Sequence, residues 1–167
     1  MLELARRSGI EVPETKLISP TNIAGLPPEF AAAGAAFAIR RIAFNATIGN
    51  GDMHLKNLSL IYRNGRDPEL APAYDYVSTL VYPSLDHCLA LSFGDSKEPD
   101  IYQRDRIRRF AQTAELPVKL IARDIADTIE RTHAAWHGAT DLPMREEHRA
   151  IVGAHIDRFA AAASRSE

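Results

Sequence analysis

Three polar residues in the middle of the chain have the types and spacing that phosphoryl transfer requires. Asp52 and Asn57 lie in the polar segment Gly49–Asn57, which contains the pattern D-x-H-x-x-N, and Asp75 follows Asn57 by eighteen residues. In kinase catalytic loops an Asp positions the attacking hydroxyl, an Asn further along the loop binds magnesium, and a second Asp holds the metal that bridges the ATP phosphates. Asp52 is therefore the candidate catalytic residue, and Asn57 and Asp75 are the candidate metal ligands.

Each of these residues also has an ordinary structural explanation. Asp is common in turns, and Asp52 follows the turn sequence Asn50-Gly51. Asn57 could simply lie at the edge of a strand, and Asp75 could be another turn residue. Taken alone, Asp52 is better explained as a turn residue. The combination favours the catalytic interpretation, because a helix, a polar loop, a hairpin and an acidic exit follow one another in kinase order.

Two further residues of the polar loop are candidates for cofactor contacts. His54 could ligate a metal together with Asp52, but neither a third nor a fourth ligand is evident. A hydrogen bond from His54 to loop carbonyls or to Asp75, which would hold the loop, is the favoured interpretation. Lys56 could neutralise phosphate charge, and a solvated loop lysine is an equally good explanation.

The segment before the polar loop has the pattern of a helix with one apolar face. Between Glu29 and Ile48, apolar residues recur at steps of three, four and seven, which predicts a buried face formed by Phe30, Ala33, Phe37, Phe44 and Ile48. The helix should end at Gly49, because Asn50-Gly51 is a strong turn signal. Asp52 would then lie directly after a packed helix, which is a rigid support for a catalytic group.

A β-hairpin predicted after the loop would bring the candidate metal ligands together. Residues 58–62 have the pattern of a strand, residues 63–68 that of a turn, and residues 70–73 that of a short return strand. Asn57 lies where this hairpin begins and Asp75 lies just after it ends. Because neighbouring strands are about 5 Å apart, both side chains could reach one ion.

The remainder of the chain is predicted to be helical, apart from one short strand at residues 89–93. Three successive segments place apolar residues at helical steps, namely 104–116, 117–137 and 145–162. His148 and His155 lie on the apolar face of the last segment and are interpreted as core or interface residues. The expected fold class is α+β and mainly helical, with a helical lobe and a small hairpin that carries the catalytic loop.

Composition and charge restrict the function classes. The 167 residues suffice for one domain with a real core, and the hydrophobic content of 46% is ordinary for a folded protein. The formal net charge of −2 gives no electrostatic reason to expect direct nucleic-acid binding. The single cysteine, Cys88, excludes an internal disulfide and a cysteine-based metal site. Without a long apolar run or a signal-peptide pattern, we expect a cytoplasmic protein that does not contact the membrane.

At these residues the chain resembles the HipA-like toxin kinases, the serine/threonine kinase components of bacterial toxin–antitoxin pairs. The resemblance runs through Phe44–Leu60 and continues in Leu70–Thr79, which contains the sequence Leu-Ala-Pro-Ala-Tyr-Asp. The D-x-H-x-x-N loop also occurs in lipid kinases, but its combination with the second segment is strongly specific. The resemblance implies a kinase-like C-terminal lobe, ATP and Mg²⁺ as cofactors, Asp52 as catalytic residue, and Asn57 and Asp75 as metal ligands.

The first residues also resemble this family, with two departures. Leu2–Thr15 is similar to the helix and strand that follow the ATP-binding lysine in the middle of a full-length relative. Only about residues 19–30 then connect this region to the helix before the catalytic loop. We therefore expect a shortened relative: residues 1–29 form a remnant of the mid-protein helix and strand plus a linker, and residues 30–167 form the kinase-like lobe, with its catalytic loop at 49–57 and its metal-binding segment at 71–79.

The resemblance leaves two functions open. The first is ATP-dependent phosphoryl transfer to a protein hydroxyl by a type II toxin, completed by a separate N-terminal lobe chain. The second is a truncated, non-catalytic remnant or pseudokinase that acts through protein contacts. The family implies a DNA-binding antitoxin of the HipB type and a protein substrate as partners. A helical DNA-binding module is disfavoured by the charge of the chain.

Overall fold

The computed structural model describes residues 28–67, 69–140 and 142–166. The helix, strand and linker predicted before residue 28 lie outside these ranges, and the boundary at residue 29 stays a prediction. The described residues form four α-helices and one two-stranded sheet, which confirms the α+β, mainly helical class. None of these helices is both long enough and apolar enough to cross a bilayer.

The helix that precedes the polar loop ends where the turn signal predicted. This helix, α1, spans Pro28–Ile48. Gly49 follows it with φ +69°, a left-handed conformation that glycine adopts without steric cost. The N–H of Gly49 donates to the carbonyl of Ala46 at 3.2 Å and closes the last turn. The polar loop therefore starts directly from the helix end.

From residue 36 onward, the buried face of α1 differs from the predicted one, whereas the side chains of the predicted positions Phe30 and Ala33 lie outside the described part. Phe37 is 54% exposed, whereas the most buried apolar residues of the helix are Ile39, Ala43 and Ala46, all at 1% or less. The prediction gave most weight to the large aromatic residues. The small alanines instead face the other helices, because they let the helix backbones approach closely.

A short antiparallel hairpin follows the polar loop, as predicted. Strand β1 (Leu60–Ile61) pairs with β2 (Glu69–Leu70), with Leu60 opposite Leu70. One further bond, from the N–H of Ala71 to the carbonyl of Ser59 at 2.8 Å, extends the contact toward the loop. The strands are shorter than predicted, and Pro72 contributes to this because it has no N–H to donate to the ladder.

The prediction of a strand at residues 89–93 is wrong. Phe93 forms only an isolated bridge with Ser96. The two residues between them, Gly94 and Asp95, have φ values of +58° and +65°. Two successive left-handed residues make a tight turn. The chain folds back on itself immediately after Phe93, but beyond the bridge the two sides are joined by a single bond, from the N–H of Leu89 to the carbonyl of Lys97 at 2.6 Å, so no continuous strand pairing forms.

Three helices follow and confirm the predicted helical lobe. Helix α2 spans Arg104–Ala114, α3 spans Val118–Gly138 and α4 spans Glu146–Ser164. Helix α3 is central, since it packs against α1, α2 and α4. Its inward positions recur every four residues and are at most 3% exposed, namely Ile121, Ile125 and Ile129.

Two polar contacts fix α1 against the helices behind it. The buried carboxylate of Asp124 on α3 lies 3.5 Å from the guanidinium of Arg40 on α1. His155 on α4 lies with Nε2 3.1 Å from the carbonyl oxygen of Ala46. A carbonyl oxygen only accepts, so Nε2 of His155 carries the proton and donates. Because Ala46 lies in the last turn of α1, this bond ties the helix end before the polar loop to α4.

The stability of the fold is expected to depend on pH through His155. Burial lowers the pKa of His155, and this outweighs the hydrogen bond to Ala46, which raises it. The unfolded chain therefore takes up a proton at a higher pH than the folded chain. The stabilising contribution is complete above the ordinary imidazole pKa of about 6.5 and is lost as the pH falls from there through the lower folded pKa.

Urea unfolding at about pH 5 and about pH 7.5 measures this effect. His155→Gln should reduce the loss of stability between the two pH values, because glutamine cannot take up the proton. His148→Gln, on the same helix, is the matched control and should keep the dependence of the unsubstituted chain. An unchanged pH dependence in His155→Gln would contradict the prediction.

Candidate active site

Two buried asparagines at the end of α1 hold the backbone of Asp52. Asn50 donates its backbone N–H to the carbonyl of Asn45 at 2.8 Å and its Nδ2 to Asn45 Oδ1 at 2.6 Å. Asn50 Oδ1 in turn accepts the backbone N–H of Asp52 at 3.0 Å. Since both asparagines are buried, these bonds are shielded from water and connect the polar loop firmly to the helix.

Thr79 holds the glycine turn of the loop from the opposite side. Its hydroxyl accepts the N–H of Gly51 at 3.0 Å and donates to the carbonyl of Gly49 at 3.1 Å. The backbone N–H of Thr79 donates to the same carbonyl at 3.0 Å. Gly51 is needed at this close approach, because a Cβ atom there would lie 2.8 Å from the carbonyl oxygen of Cys88. The loop is thus fixed on both sides of its turn.

Asp52 and His54 form a direct contact at the exposed side of the loop. His54 Nε2 lies 2.9 Å from Asp52 Oδ1, with side chains 50% and 55% exposed. The sequence predicted that His54 would bond to loop carbonyls or to Asp75. Its partner is instead the carboxylate of Asp52. His54 has an extended backbone, and in extended chain, residues two apart point to the same side. An imidazole bonded to one oxygen orients the carboxylate and leaves its second oxygen available to accept a further hydrogen bond.

Asn57 and Asp75 lie side by side, as the hairpin predicted. Asn57 Nδ2 donates a short hydrogen bond to Asp75 Oδ2, while Asn57 Oδ1 accepts the backbone N–H of His54 at 2.8 Å. Asn57 is buried, whereas Asp75 is exposed and has a left-handed backbone with φ +62°. Asp is among the few residues other than glycine that tolerate this conformation. The chain therefore presents an amide and a carboxylate at one point.

Lys56 takes part in the site through its backbone. Its carbonyl accepts the phenolic O–H of Tyr74, which connects the loop to the segment that carries Asp75. The Lys56 side chain is exposed and forms no ion pair with another residue in the described part of the chain. Its contact with phosphate stays a prediction.

Arg41 connects α1 to the segment that carries Asp75. Its guanidinium donates to the carbonyl of Ala71. One turn further along α1, the ring of Phe44 packs against that of Tyr76 with centroids 4.8 Å apart. Burial raises the pKa of Tyr76, and the nearby charge of Arg41 opposes this rise. Contacts with α1 therefore hold the chain before Asp75, at Ala71, and after it, at Tyr76.

Removing the Arg41 side chain is expected to loosen this segment. In Arg41→Ala the carbonyl of Ala71 loses its partner, which should lower the free energy of unfolding by about 1 to 2 kcal/mol. Amide exchange should accelerate in residues 71–76. Arg66→Ala, in the exposed turn of the hairpin, should change stability by less than about 0.5 kcal/mol. Urea unfolding and amide exchange measure both effects, and an equal response of the two variants would exclude the role of Arg41.

An open cleft of about 390 Å³ lies directly beside Asp52. Its walls combine exposed apolar side chains with a second carboxylate, and the lining residues are Gly51, Asp52, Val77, Thr79, Tyr82, Leu85 and Asp86. The same Thr79 that fixes the loop lies in this wall. The Asp52 carboxylate is therefore accessible from this cleft.

Comparison with known families decides which family this chain belongs to. The model of the HipA-like C-terminal domain matches residues 23–136. The chain belongs to this family. The matched residues include the whole candidate site of this HipA-like domain, from Arg41 to Asp86, and most of α3.

Curated relatives and a solved structure agree with the assignment. From Sinorhizobium fredii (strain NBRC 101917 / NGR234), “Putative kinase Y4dM” is 40% identical over 128 residues, which are 76% of this chain and 31% of that protein. “Putative kinase Y4mE” of the same strain is 34% identical over 92 residues, 55% of this chain and 22% of that protein. A chain of the Shewanella oneidensis MR-1 HipA, HipB and operator DNA complex matches with a TM-score of 0.65 and 23% identity.

The match to the Shewanella structure covers 82% of this chain and 34% of that chain. It shows the fold of the HipA C-terminal region, which is kinase-like. The chain thus spans about a third or less of the length of the relatives it matches.

Sequence reasoning missed the residues that position this HipA-like site. The two asparagines Asn45 and Asn50 and the threonine Thr79 hold the loop, and Arg41 holds the segment of Asp75. The sequence places Asn50 only in a turn signal. A second Asn five residues earlier, within the predicted helix, is the sequence signal that could have indicated a fixed helix end.

Proposed function

We propose that the chain forms the phosphoryl-transfer part of a HipA-like serine/threonine kinase, the toxin of a type II toxin–antitoxin pair. The observation that carries the proposal is the direct contact of Asn57 with Asp75, beside a loop that presents Asp52. Relatives that bear kinase names support it. The terminal phosphoryl group of ATP would pass to a protein hydroxyl, whose proton leaves, and ADP would be released.

The side chains present fit a magnesium site. Mg²⁺ prefers hard oxygen ligands such as carboxylates and usually keeps several waters. Asp75 offers carboxylate oxygens at the exposed surface, and Asn57 offers an amide oxygen once its side chain turns Oδ1 away from the N–H of His54. When bound, Mg²⁺ and ATP supply the phosphoryl group and the charge that neutralises its oxygens.

Asp52 is the proposed partner of the substrate hydroxyl. His54 occupies Oδ1 of Asp52, so the other carboxylate oxygen can accept the hydroxyl proton. The bonds from Asn50 and Thr79 hold the loop before the substrate arrives, which reduces the entropy lost in the transition state. Lys56, exposed on the same loop, is the proposed contact to phosphate.

We propose the partners that this assignment implies. The Shewanella structure contains HipA, HipB and operator DNA, so a HipB-type antitoxin is the proposed regulator of this chain. With a net charge of −2, the chain would contact DNA through the antitoxin rather than directly. An N-terminal kinase lobe, on this or on a second polypeptide, would cover the nucleotide. The proposed location is the cytoplasm, without membrane contact.

Magnesium-dependent nucleotide binding is the test of this function. ATP with Mg²⁺ should raise the thermal unfolding midpoint of the chain, alone or with a co-expressed N-terminal kinase lobe, and ATP with a chelator should not. The same preparation should transfer label from γ-labelled ATP to a protein serine or threonine. If neither preparation is stabilised by Mg²⁺ and ATP, the proposed kinase function is wrong. The alternative is then a non-catalytic protein that acts through protein contacts.

A further inference from the structure

A second cluster of ligating side chains lies between α3 and α4, away from the residues of the candidate active site. His133 and His137 are one helical turn apart on α3, and the Nε2 atoms of both lie close to Oδ1 of Asp157 on α4, at 3.1 and 2.8 Å. The ligand atoms of all three residues lie within 4.8 Å of one another. The side chains are 40%, 55% and 51% exposed, so solvent and ions reach them.

We propose that this cluster is a zinc site formed by His133, His137 and Asp157. Two histidines four residues apart on one helix face are an arrangement that binds Zn²⁺, and a carboxylate oxygen is an accepted third ligand. Around a tetrahedral ion with ligands at 2.0–2.2 Å, neighbouring ligand atoms are about 3.3 Å apart. The His–Asp distances here are slightly shorter, so small side-chain movements admit the ion. Water completes the coordination.

The convergence of both imidazoles on one oxygen favours a metal over a simple hydrogen-bond network. A network would be satisfied with one histidine on each carboxylate oxygen. Here both Nε2 atoms meet Oδ1 of Asp157, and the two rings are in edge contact with centroids 4.7 Å apart. Neutral imidazole nitrogens and a carboxylate oxygen are suitable ligands for one divalent ion, and here all three ligand atoms lie within 4.8 Å of one another.

The site does not follow from the family assignment. His137 and Asp157 lie beyond residues 23–136, which the family model matches. The ion would join the end of α3 to the middle of α4. It would therefore stabilise the packing of α4, whose His155 contacts the helix end before the candidate active site. Its binding is independent of the proposed kinase function.

Zinc titration of the full chain, prepared without a histidine tag, tests the proposal. Calorimetry with ZnCl₂ should show one high-affinity site per chain. At zinc concentrations about a hundredfold above Kd, the thermal unfolding midpoint should rise by roughly 5 to 10 °C. MgCl₂ at the same concentration should give no such rise. Co²⁺ in place of Zn²⁺ should show the intense visible absorption of a tetrahedral site.

Variants of the ligands decide which residues bind the metal. His137→Gln and Asp157→Asn, both at exposed positions, should fold normally and lose the site, with affinity reduced at least tenfold. His148→Gln, elsewhere on α4, is the matched control and should bind Zn²⁺ as the unsubstituted chain does. The proposal is overturned if the unsubstituted chain binds no Zn²⁺, or if the two ligand variants bind it as tightly as the control.

Discussion

Replacing Asp75 by Asn is expected to abolish magnesium-dependent phosphoryl transfer while the fold is kept. Asn tolerates the left-handed backbone of this position and still offers an oxygen to Nδ2 of Asn57. The free energy of unfolding should therefore change by less than about 0.5 kcal/mol. The substitution removes the charge that would hold the metal, which should lower the transfer rate by about 10³-fold or more.

The paired variant Asp52→Asn distinguishes chemistry from nucleotide binding. Asp52 lines the open cleft and is bonded to His54 rather than to Asp75. Asp52→Asn should therefore lose about 10² to 10⁴-fold in transfer rate, as expected for removal of a general base, and keep magnesium-dependent ATP binding. Asp75→Asn should lose both. Thermal unfolding with and without Mg²⁺ and ATP measures binding, and γ-labelled ATP measures transfer.

Asp95→Asn is the matched control for these variants. Asp95 is also exposed and has φ +65°, close to the +62° of Asp75, but it lies in the turn after Phe93. Its substitution removes the same charge from the same backbone conformation and should leave binding and transfer unchanged. Transfer that survives Asp75→Asn, or that is lost equally in Asp95→Asn, would exclude the proposed metal ligand.

The contact between Asn57 and Asp75 could be predicted because it depends on local rules. A turn sequence between two apolar runs predicts a hairpin, and a hairpin necessarily brings its two ends together. The end of α1 at Gly49 followed from an equally local signal. The candidate ligands were thus placed correctly relative to each other, although the strands are shorter than predicted.

The contacts that hold the site depend on residues far apart in the chain. Thr79 bonds to Gly49 and Gly51, and Arg41 bonds to Ala71, across 28 to 30 residues. No spacing rule connects such positions, because their approach is decided by how the hairpin packs on α1. The wrong buried face of α1 has the same origin. Its aromatic residue Phe44 covers the segment of Asp75, and the alanines meet the other helices.

Gly49→Ala is expected to destabilise the fold by about 2 to 5 kcal/mol. A side chain at φ +69° is strained, which costs about 1 to 2 kcal/mol. The added Cβ atom would also lie 2.3 Å from Cδ1 of Leu80, which forces a repacking that costs about 1 to 3 kcal/mol more. Since Leu80 follows Thr79 directly, its displacement should also disturb the bonds of Thr79 to the polar loop.

Gly65→Ala separates the two contributions. Gly65 has φ +74°, but a Cβ atom there meets nothing within 4 Å. Its substitution should cost only the backbone strain, and the difference between the variants measures the clash with Leu80. Adding Leu80→Ala to Gly49→Ala should then recover part of the loss, with a coupling of about 0.5 to 3 kcal/mol in urea unfolding. The clash would not control the loop if Gly49→Ala and Gly65→Ala lose the same free energy of unfolding. In that case the effects of Gly49→Ala and Leu80→Ala should also simply add.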